Sequence, residues 1–174
     1  MQYYSHRFVL RRVFMPYIAL AIGVALAGID QLFKYLITSN MLQGEEIKVF
    51  GDVFKITYVK NDGVAFGMFS GMQWIFIVLT VIMLGVIIFY MFKKRPDSKL
   101  FYFSVALIVG GGLGNLVDRV IYRYVVDYLS LSFFPPVCNF ADYCITIGVV
   151  ILAVYLVFFS DKDKKEKLKE HADD

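Results

Sequence analysis

Four long stretches of this chain carry no Asp, Glu, Lys or Arg: residues 13–29, 64–92, 100–117 and 143–160. A helix rises about 1.5 Å per residue, so roughly 20 residues cross the ~30 Å hydrocarbon core of a bilayer. Each stretch is a spanning candidate. The second is too long for one straight crossing, and its Gly63, Gly67, Ser70 and Gly71 mark a loop ahead of the helix proper. These spacings predict helices near 14–36, 72–92, 100–117 and 142–159. Backbone polar groups in lipid must be satisfied internally, which leaves helices or a closed barrel. Continuous apolar runs, unlike the alternating ten-residue segments of a barrel, select helices. The expected fold is an all-α membrane protein, a four-transmembrane-helix bundle forming one integral membrane domain over 1–174. Composition agrees, because 59% hydrophobic residues exceed the share a soluble domain carries. A net charge of +3 gives no support to nucleic-acid binding.

Orientation follows from Lys and Arg. Arg7, Arg11 and Arg12 precede the first helix, Lys93, Lys94, Arg95 and Lys99 link the second and third, and five lysines lie in 161–174. These segments hold 12 of the 18 basic residues and share one side of the bundle. The positive-inside rule places that side, with both termini and the tail 161–174, in the cytoplasm. Segments 37–71 and 118–141 are then extracytoplasmic. The arginines ahead of Met15–Gly28 and Ala25-Leu-Ala27 also have the look of a cleavable signal peptide. We expect the helix to be retained, since its removal would leave three crossings and oppose the charge bias. The tail is mixed in charge, without an apolar face, and is expected to be a solvated helix or disordered.

The outer segments carry strand signals. Residues 47–60, IKVFGDVFKITYVK, are rich in Val, Ile, Phe, Tyr and Thr around a Gly-Asp turn and read as a small hairpin on the membrane surface. Residues 125–133, VVDYLSLSF, alternate in part and run into Pro135-Pro136, which excludes a helix there. That segment reads as strand-like or re-entrant.

Ionisable groups at a bilayer are costly, and each is a candidate for function. Asp30 and Lys34 lie four apart on one helix face, as an ion pair would, and a structural clamp is the simpler reading. Asn115, Asp118 and Arg119 follow a glycine-rich run in which Gly110 and Gly114 permit close helix approach. Asp118 beside Arg119, with Arg123 one turn on, reads as an ion-pair cluster. The fork of donors on Arg119 also suits a peptide carbonyl or a lipid phosphate. Asp127 has no basic neighbour in sequence. Asp142 follows Asn139 by three residues, a capping-box spacing, and capping alone explains it as well as catalysis does.

Considered together, Asp127 and Asp142 carry more weight. Both fall near the outer surface, with a loop between them long enough to return. Two carboxylates at close range do not both ionise easily, so one keeps a proton. Such a pair activates water with one member and protonates a carbonyl or leaving group with the other. His6 and His171 are the only histidines and lie in the cytoplasmic tails, and Cys138 and Cys144 lack metal-ligand spacing. No metal or cofactor is expected, and the cysteines are expected as free thiols in preference to a disulfide. A Ser–Lys pair is less well placed, because Lys34 faces Asp30.

Five short motifs in order then resemble one family. They are Asp30-Gln-Leu-Phe-Lys34, Lys60-Asn61-Asp-Gly-Val-Ala65-Phe-Gly67, Gly111-Gly-Leu-Gly-Asn115-Leu-Val-Asp118-Arg119, Val125-Val126-Asp127-Tyr128 and Asn139-Phe-Ala-Asp142. The chain resembles the bacterial lipoprotein signal peptidases (signal peptidase II), aspartyl enzymes of the cytoplasmic membrane. The resemblance implies Asp127 and Asp142 as the catalytic pair and Asp118 as a supporting residue. It implies that Asn115 and Arg119 contact the substrate backbone or position the pair. Asn61 and Asn139 would shape the site, and Asp30 and Lys34 would stabilise it. The implied substrate is a prolipoprotein whose cysteine bears a diacylglyceryl group, cut just before that cysteine by a monomer at the outer face of the membrane. Segments 47–60 and 61–71 would close over it as a cradle or lid. The alternative is a small polar-solute or proton-coupled transporter using Asp30, Lys34 and Asp118 as relay groups. The absence of an inverted repeat and the gathering of acidic groups at one surface argue against it. A scaffold would have no reason to keep these charges at the interface.

Overall fold

The structure, a computed structural model, describes residues 2–63 and 72–160. Its order is α1 (Gln2–Asn40), β1 (Glu46–Phe50), β2 (Phe54–Asn61), α2 (Gln73–Lys94), α3 (Lys99–Ile121), β3 (Val125–Leu131), β4 (Phe134–Cys138) and α4 (Phe140–Phe158). All four helices are long and apolar enough to cross a membrane. Charge ends an apolar run but does not end a helix, and two boundaries differ from expectation for that reason. Helix α1 begins well before residue 14, because nothing among its arginines breaks it. It ends at Asn40, whose side-chain amide donates to the Leu36 carbonyl, 2.8 Å away. Helix α3 runs four residues beyond the expected 117. Asp118 and Arg119 therefore project from the last turn of a helix and do not belong to the segment 118–141.

Helix α3 is the axis of the bundle and packs against α1, α4 and α2. Of its apolar span 67% is buried, against 11% for α2. The exposed side chains of α2, Val78, Leu79, Ile82, Val86 and Phe89 among them, meet no partner face among the described residues and suit a lipid environment. Helix α3 reaches its neighbours through glycine. A Cβ on Gly110 would stand 2.7 Å from the Leu26 Cβ, and one on Gly114 would stand 2.5 Å from Asp30 Oδ2. Backbones this close exclude any side chain.

The expected hairpin exists as β1 and β2, but it is half of a larger element. The strands form one antiparallel sheet in the order β1-β2-β3-β4. The alternating segment after Val125 supplies β3. The Pro-Pro pair lies in β4, an edge strand, where missing N–H groups have one ladder less to serve. Met41, Tyr58, Val126 and Tyr128 form a small second core that seats the sheet on the end of α1. The sheet therefore occupies the end of the bundle opposite the Lys93–Lys99 link. Residues 64–71, part of the expected lid, and the tail 161–174 lie outside the described residues.

Candidate active site

The polar residues singled out in the sequence converge where the sheet meets α1, α3 and α4. Three observations build the site. The first is a buried ion cluster. Lys34 Nζ lies 2.7 Å from Asp30 Oδ2 and 3.0 Å from Asp118 Oδ2, and donates to Asn115 Oδ1 at 2.9 Å. Two carboxylate oxygens and one amide oxygen thus surround the ammonium. Lys34 is 3% exposed, Asp30 0% and Asp118 1%. The Asp30–Lys34 pair is as expected. Asp118 is a correction, because its ion pair is with Lys34 of α1 and not with Arg119 and Arg123 beside it in sequence. Helix geometry accounts for this, since adjacent residues point about 100° apart. Asp118 also accepts from Gln31 Nε2 at 2.7 Å and from the Val126 backbone N–H at 3.1 Å, so it ties α1, α3 and β3 together.

The second observation is the start of α4. A helix begins with backbone N–H groups that have no partner within it. Here each is taken. Phe140 N–H donates to the Tyr128 hydroxyl at 3.3 Å, Ala141 N–H to Asp30 Oδ1 at 3.0 Å, and Asp142 N–H to Asn139 Oδ1 at 3.0 Å. In return Asp142 Oδ2 accepts from Asn139 N–H at 3.1 Å, completing a capping box. Capping is thus real at Asp142, and it fixes the carboxylate without using it up. The Oδ1 atom accepts a further bond from Asn115 Nδ2 at 2.8 Å.

The third is the environment of Asp127. It lies on β3, is 2% exposed, and accepts from Asn61 Nδ2 and Asn139 Nδ2, both at 2.7 Å. Asn61 pairs with Val125, two residues from Asp127, so the sheet register places the two side chains diagonally on one face. Asn139 spans the site, holding Asp127 with its side-chain amide and Asp142 with its backbone. Among the described residues no cation forms an ion pair with Asp127. Burial and the nearby charge of Asp142 push its carboxyl up to about 7.

Arg119 stands at the edge of this network. Its Nη1 donates to the Asn115 carbonyl at 3.3 Å and its guanidinium lies 5.4 Å from the centre of the Phe76 ring. Its Nε is buried with no hydrogen-bond partner among the described residues. Beside Asp142 an apolar pocket of about 290 Å³ is lined by Leu131, Phe133, Phe134, Cys138, Tyr143 and Thr146. Cys138 and Cys144 are both free thiols. Burial pushes the Cys138 thiol up to about 11, so it stays protonated near neutral pH.

The comparisons with known proteins point one way. The family model described as signal peptidase (SPase) II matches residues 22–158. That stretch contains every residue of the network just described. The chain belongs to the signal peptidase II family. It is 38% identical to the lipoprotein signal peptidase of Clostridium acetobutylicum, over 85% of this chain and 97% of that protein. The lipoprotein signal peptidase of Halothermothrix orenii is 42% identical, over 82% and 94% of the two chains. Among solved structures, a bacterial membrane enzyme determined in meso at 2.3 Å matches with a TM-score of 0.76 and 31% identity. The match covers 86% of this chain and 91% of that one. Membership of the signal peptidase II family makes this a bacterial multi-pass membrane protein and a peptidase. Nothing in the fold or the relatives favours the transporter alternative.

Sequence reasoning missed three members of the signal peptidase II site network. Gln31 donates to Asp118 and to the Gly114 carbonyl, Tyr128 accepts from α4, and buried Gln73 donates to the Asp62 carbonyl. A glutamine one residue after Asp30 in an otherwise apolar helix was a signal that could have been used. Tyr128 stood in the motif Val125-Val126-Asp127-Tyr128, but nothing there gave it a role.

Proposed function

We propose that this protein removes the signal peptide from diacylglyceryl-modified prolipoproteins, cutting before the lipidated cysteine, with Asp127 and Asp142 as an aspartic dyad. The observation that carries the reading is Asn139, which holds both carboxyl groups, one through its side chain and one through its backbone. Only one of the pair needs to ionise, and Asp127, raised to about 7, is suited to hold the shared proton. Asp142 takes a proton from water as the water oxygen attacks the scissile carbonyl carbon. Asp127 gives its proton to the carbonyl oxygen. The tetrahedral intermediate then collapses. Asp142 passes its proton to the leaving nitrogen of the lipidated cysteine, and Asp127 recovers its own as the carbonyl reforms.

The remaining residues orient the substrate. Arg119, with free donor capacity beside the dyad, is suited to a substrate carbonyl. Strand β2 is paired along β3 and forms a wall of the site through Asn61. The apolar pocket beside Asp142 suits an apolar group next to the scissile bond. A lipid-anchored cysteine keeps that bond at the membrane interface, where anchoring supplies effective concentration. The charge bias places both termini in the cytoplasm and the sheet end at the outer face. One chain, acting as a monomer in membrane lipid and forming a single domain, contains the whole site. The test is a gel-shift cleavage assay with a diacylglyceryl-modified prolipoprotein. Cleavage by the wild type, with none by Asp127→Asn and none of unlipidated substrate, is expected. A folded wild type that does not cleave would defeat the proposal.

A further inference from the structure

We infer that Lys34 is more than a structural clamp: acting through Asn115, it is a positioning residue that makes Asp142, and not Asp127, the ionised member of the dyad. The inference rests on the activity reading above. It follows from donors and acceptors alone. An ammonium only donates, so the Asn115 atom facing Lys34 Nζ at 2.9 Å must be the oxygen. The same oxygen accepts from Asn139 Nδ2 at 3.1 Å, which occupies its second lone pair. Asn139 has no freedom to reverse, because its own oxygen accepts from the Asp142 N–H at 3.0 Å. Both amides are therefore locked. The Asn115 nitrogen is left aimed at Asp142 Oδ1, 2.8 Å away.

Two consequences separate the carboxyl groups. Asp142 receives one donor from an amide polarised by a cation and a second from the backbone N–H of Asn139 at the start of α4. Hydrogen bonds to a charged group, reinforced by an adjacent cation and a helix N-terminus, favour the anion. Asp127 receives two donors from neutral amides, and the Lys34 ammonium is not bonded to it. Other titratable groups facing the start of α4 are Asp30 from α1, Arg119 from α3, Tyr128 from β3 and Cys138 from β4. Asp30 bonds Ala141 N–H, Tyr128 bonds Phe140 N–H, and no bond joins Arg119 or Cys138 to Asp142. Arg119 acts on Asp142, and Lys34 on Asp127, through space only; the path from Lys34 through Asn115 is the hydrogen-bonded cationic one that reaches Asp142.

The test reads the pH profile of kcat with the lipidated substrate, where the acid limb reports ionisation of the base. Asn115→Asp keeps size and shape but can put an acceptor against Asp142 Oδ1. The expected result is an acid limb moved to higher pH by about one unit or more, with KM within about threefold of wild type. Lys34→Met alone strands two buried carboxylates, and removing both of them as well would take away a net negative charge, so the second variant is Lys34→Met/Asp118→Asn, which removes the cation and keeps the net charge of the cluster. It should move the limb the same way by a smaller amount. A uniform fall in kcat with the limb unmoved in both variants overturns the inference. A limb that moves in Asn115→Asp but not in Lys34→Met/Asp118→Asn overturns the part given to Lys34. Failure of the wild type to cleave overturns the activity reading itself, which separates the two.

Discussion

Two pairs of aspartates lie within one network, Asp30, Asp118 and Asp127 buried and Asp142 partly buried, and they differ most in their partners. Asp30 and Asp118 share the ammonium of Lys34, at 2.7 Å and 3.0 Å. Asp127 and Asp142 share only amides, from Asn61, Asn115 and Asn139. A cation settles a carboxylate as an anion and ties it to the fold. An amide holds its position and leaves its protonation open. The first pair is suited to joining α1 to α3 and α4, and the second to moving a proton.

The strongest way to break this contrast is to remove titration from the second pair while keeping its shape. Asp127→Asn and Asp142→Asn should each lower turnover by about 10³-fold or more, in proteins that melt within a few degrees of wild type in detergent. If Asp118→Asn abolishes turnover in a folded protein while Asp127→Asn cleaves, the two pairs have been assigned the wrong way round. The pH dependence sharpens the point. Asp127 sits at about 7 in the folded protein against 3.8 as an isolated side chain. Between those values the folded state binds the extra proton, so stability falls as pH rises from 4 to 7 and levels above it. Thermal melts of Asp127→Asn across that window should lose this slope, and wild-type turnover should decline above about pH 7.

The converse applies to the first pair. Lys34→Met strands two carboxylates in a dry site and should destabilise by about 3–5 kcal/mol. Asp118→Asn, which keeps bonds from Gln31 and Val126, should cost less. Unfolding in a graded denaturing detergent series checks both. Equal stability of Lys34→Met and wild type would mean that the cluster does not tie the helices together. Asn139→Ala lies between the two pairs. It removes a helix cap and one donor to Asp127, and should lower kcat by about 10–100-fold with a cost of about 1 kcal/mol in stability. Steady-state cleavage and melting, measured on one preparation, separate those effects.

Local chemistry was legible in the sequence to the extent that one helix or one turn produces it. Asp30 with Lys34, Asn139 with Asp142 and the close approach at Gly110 and Gly114 are i,i+3 or i,i+4 relations. Each could be read because the helix period determines it. Asp118 was misread because its partner is 84 positions away, on a helix whose rotation about its axis no local pattern reveals. Its neighbour Arg119 was nearer in sequence but pointed elsewhere. The hairpin was visible as two β-rich runs around a turn, whereas its extension by β3 and β4 depends on pairing across two whole helices, α2 and α3. Asp127 illustrates both cases. The family motif marked it, but its bond to Asn61 exists only because β2 and β3 pair in one register.

The smallest expected effect makes the role of burial clearest. Lys48 and Asp52 also form a lysine–aspartate pair four residues apart, and their charged atoms also meet at 2.7 Å. By distance and composition this pair equals Lys34 with Asp30. It lies at the hairpin, however, with side chains 63% and 77% exposed, where those of Lys34 and Asp30 are 3% and 0% exposed. Water and salt screen it, and ordering two mobile side chains offsets most of what attraction remains. Lys48→Ala should therefore change stability by less than about 1 kcal/mol, where Lys34→Met changes it several-fold more. Melting both variants at low and high salt checks the comparison. The small loss at Lys48 should fade as salt rises, and the large loss at Lys34 should persist, because counter-ions do not reach a lysine enclosed by α1, α3 and the sheet.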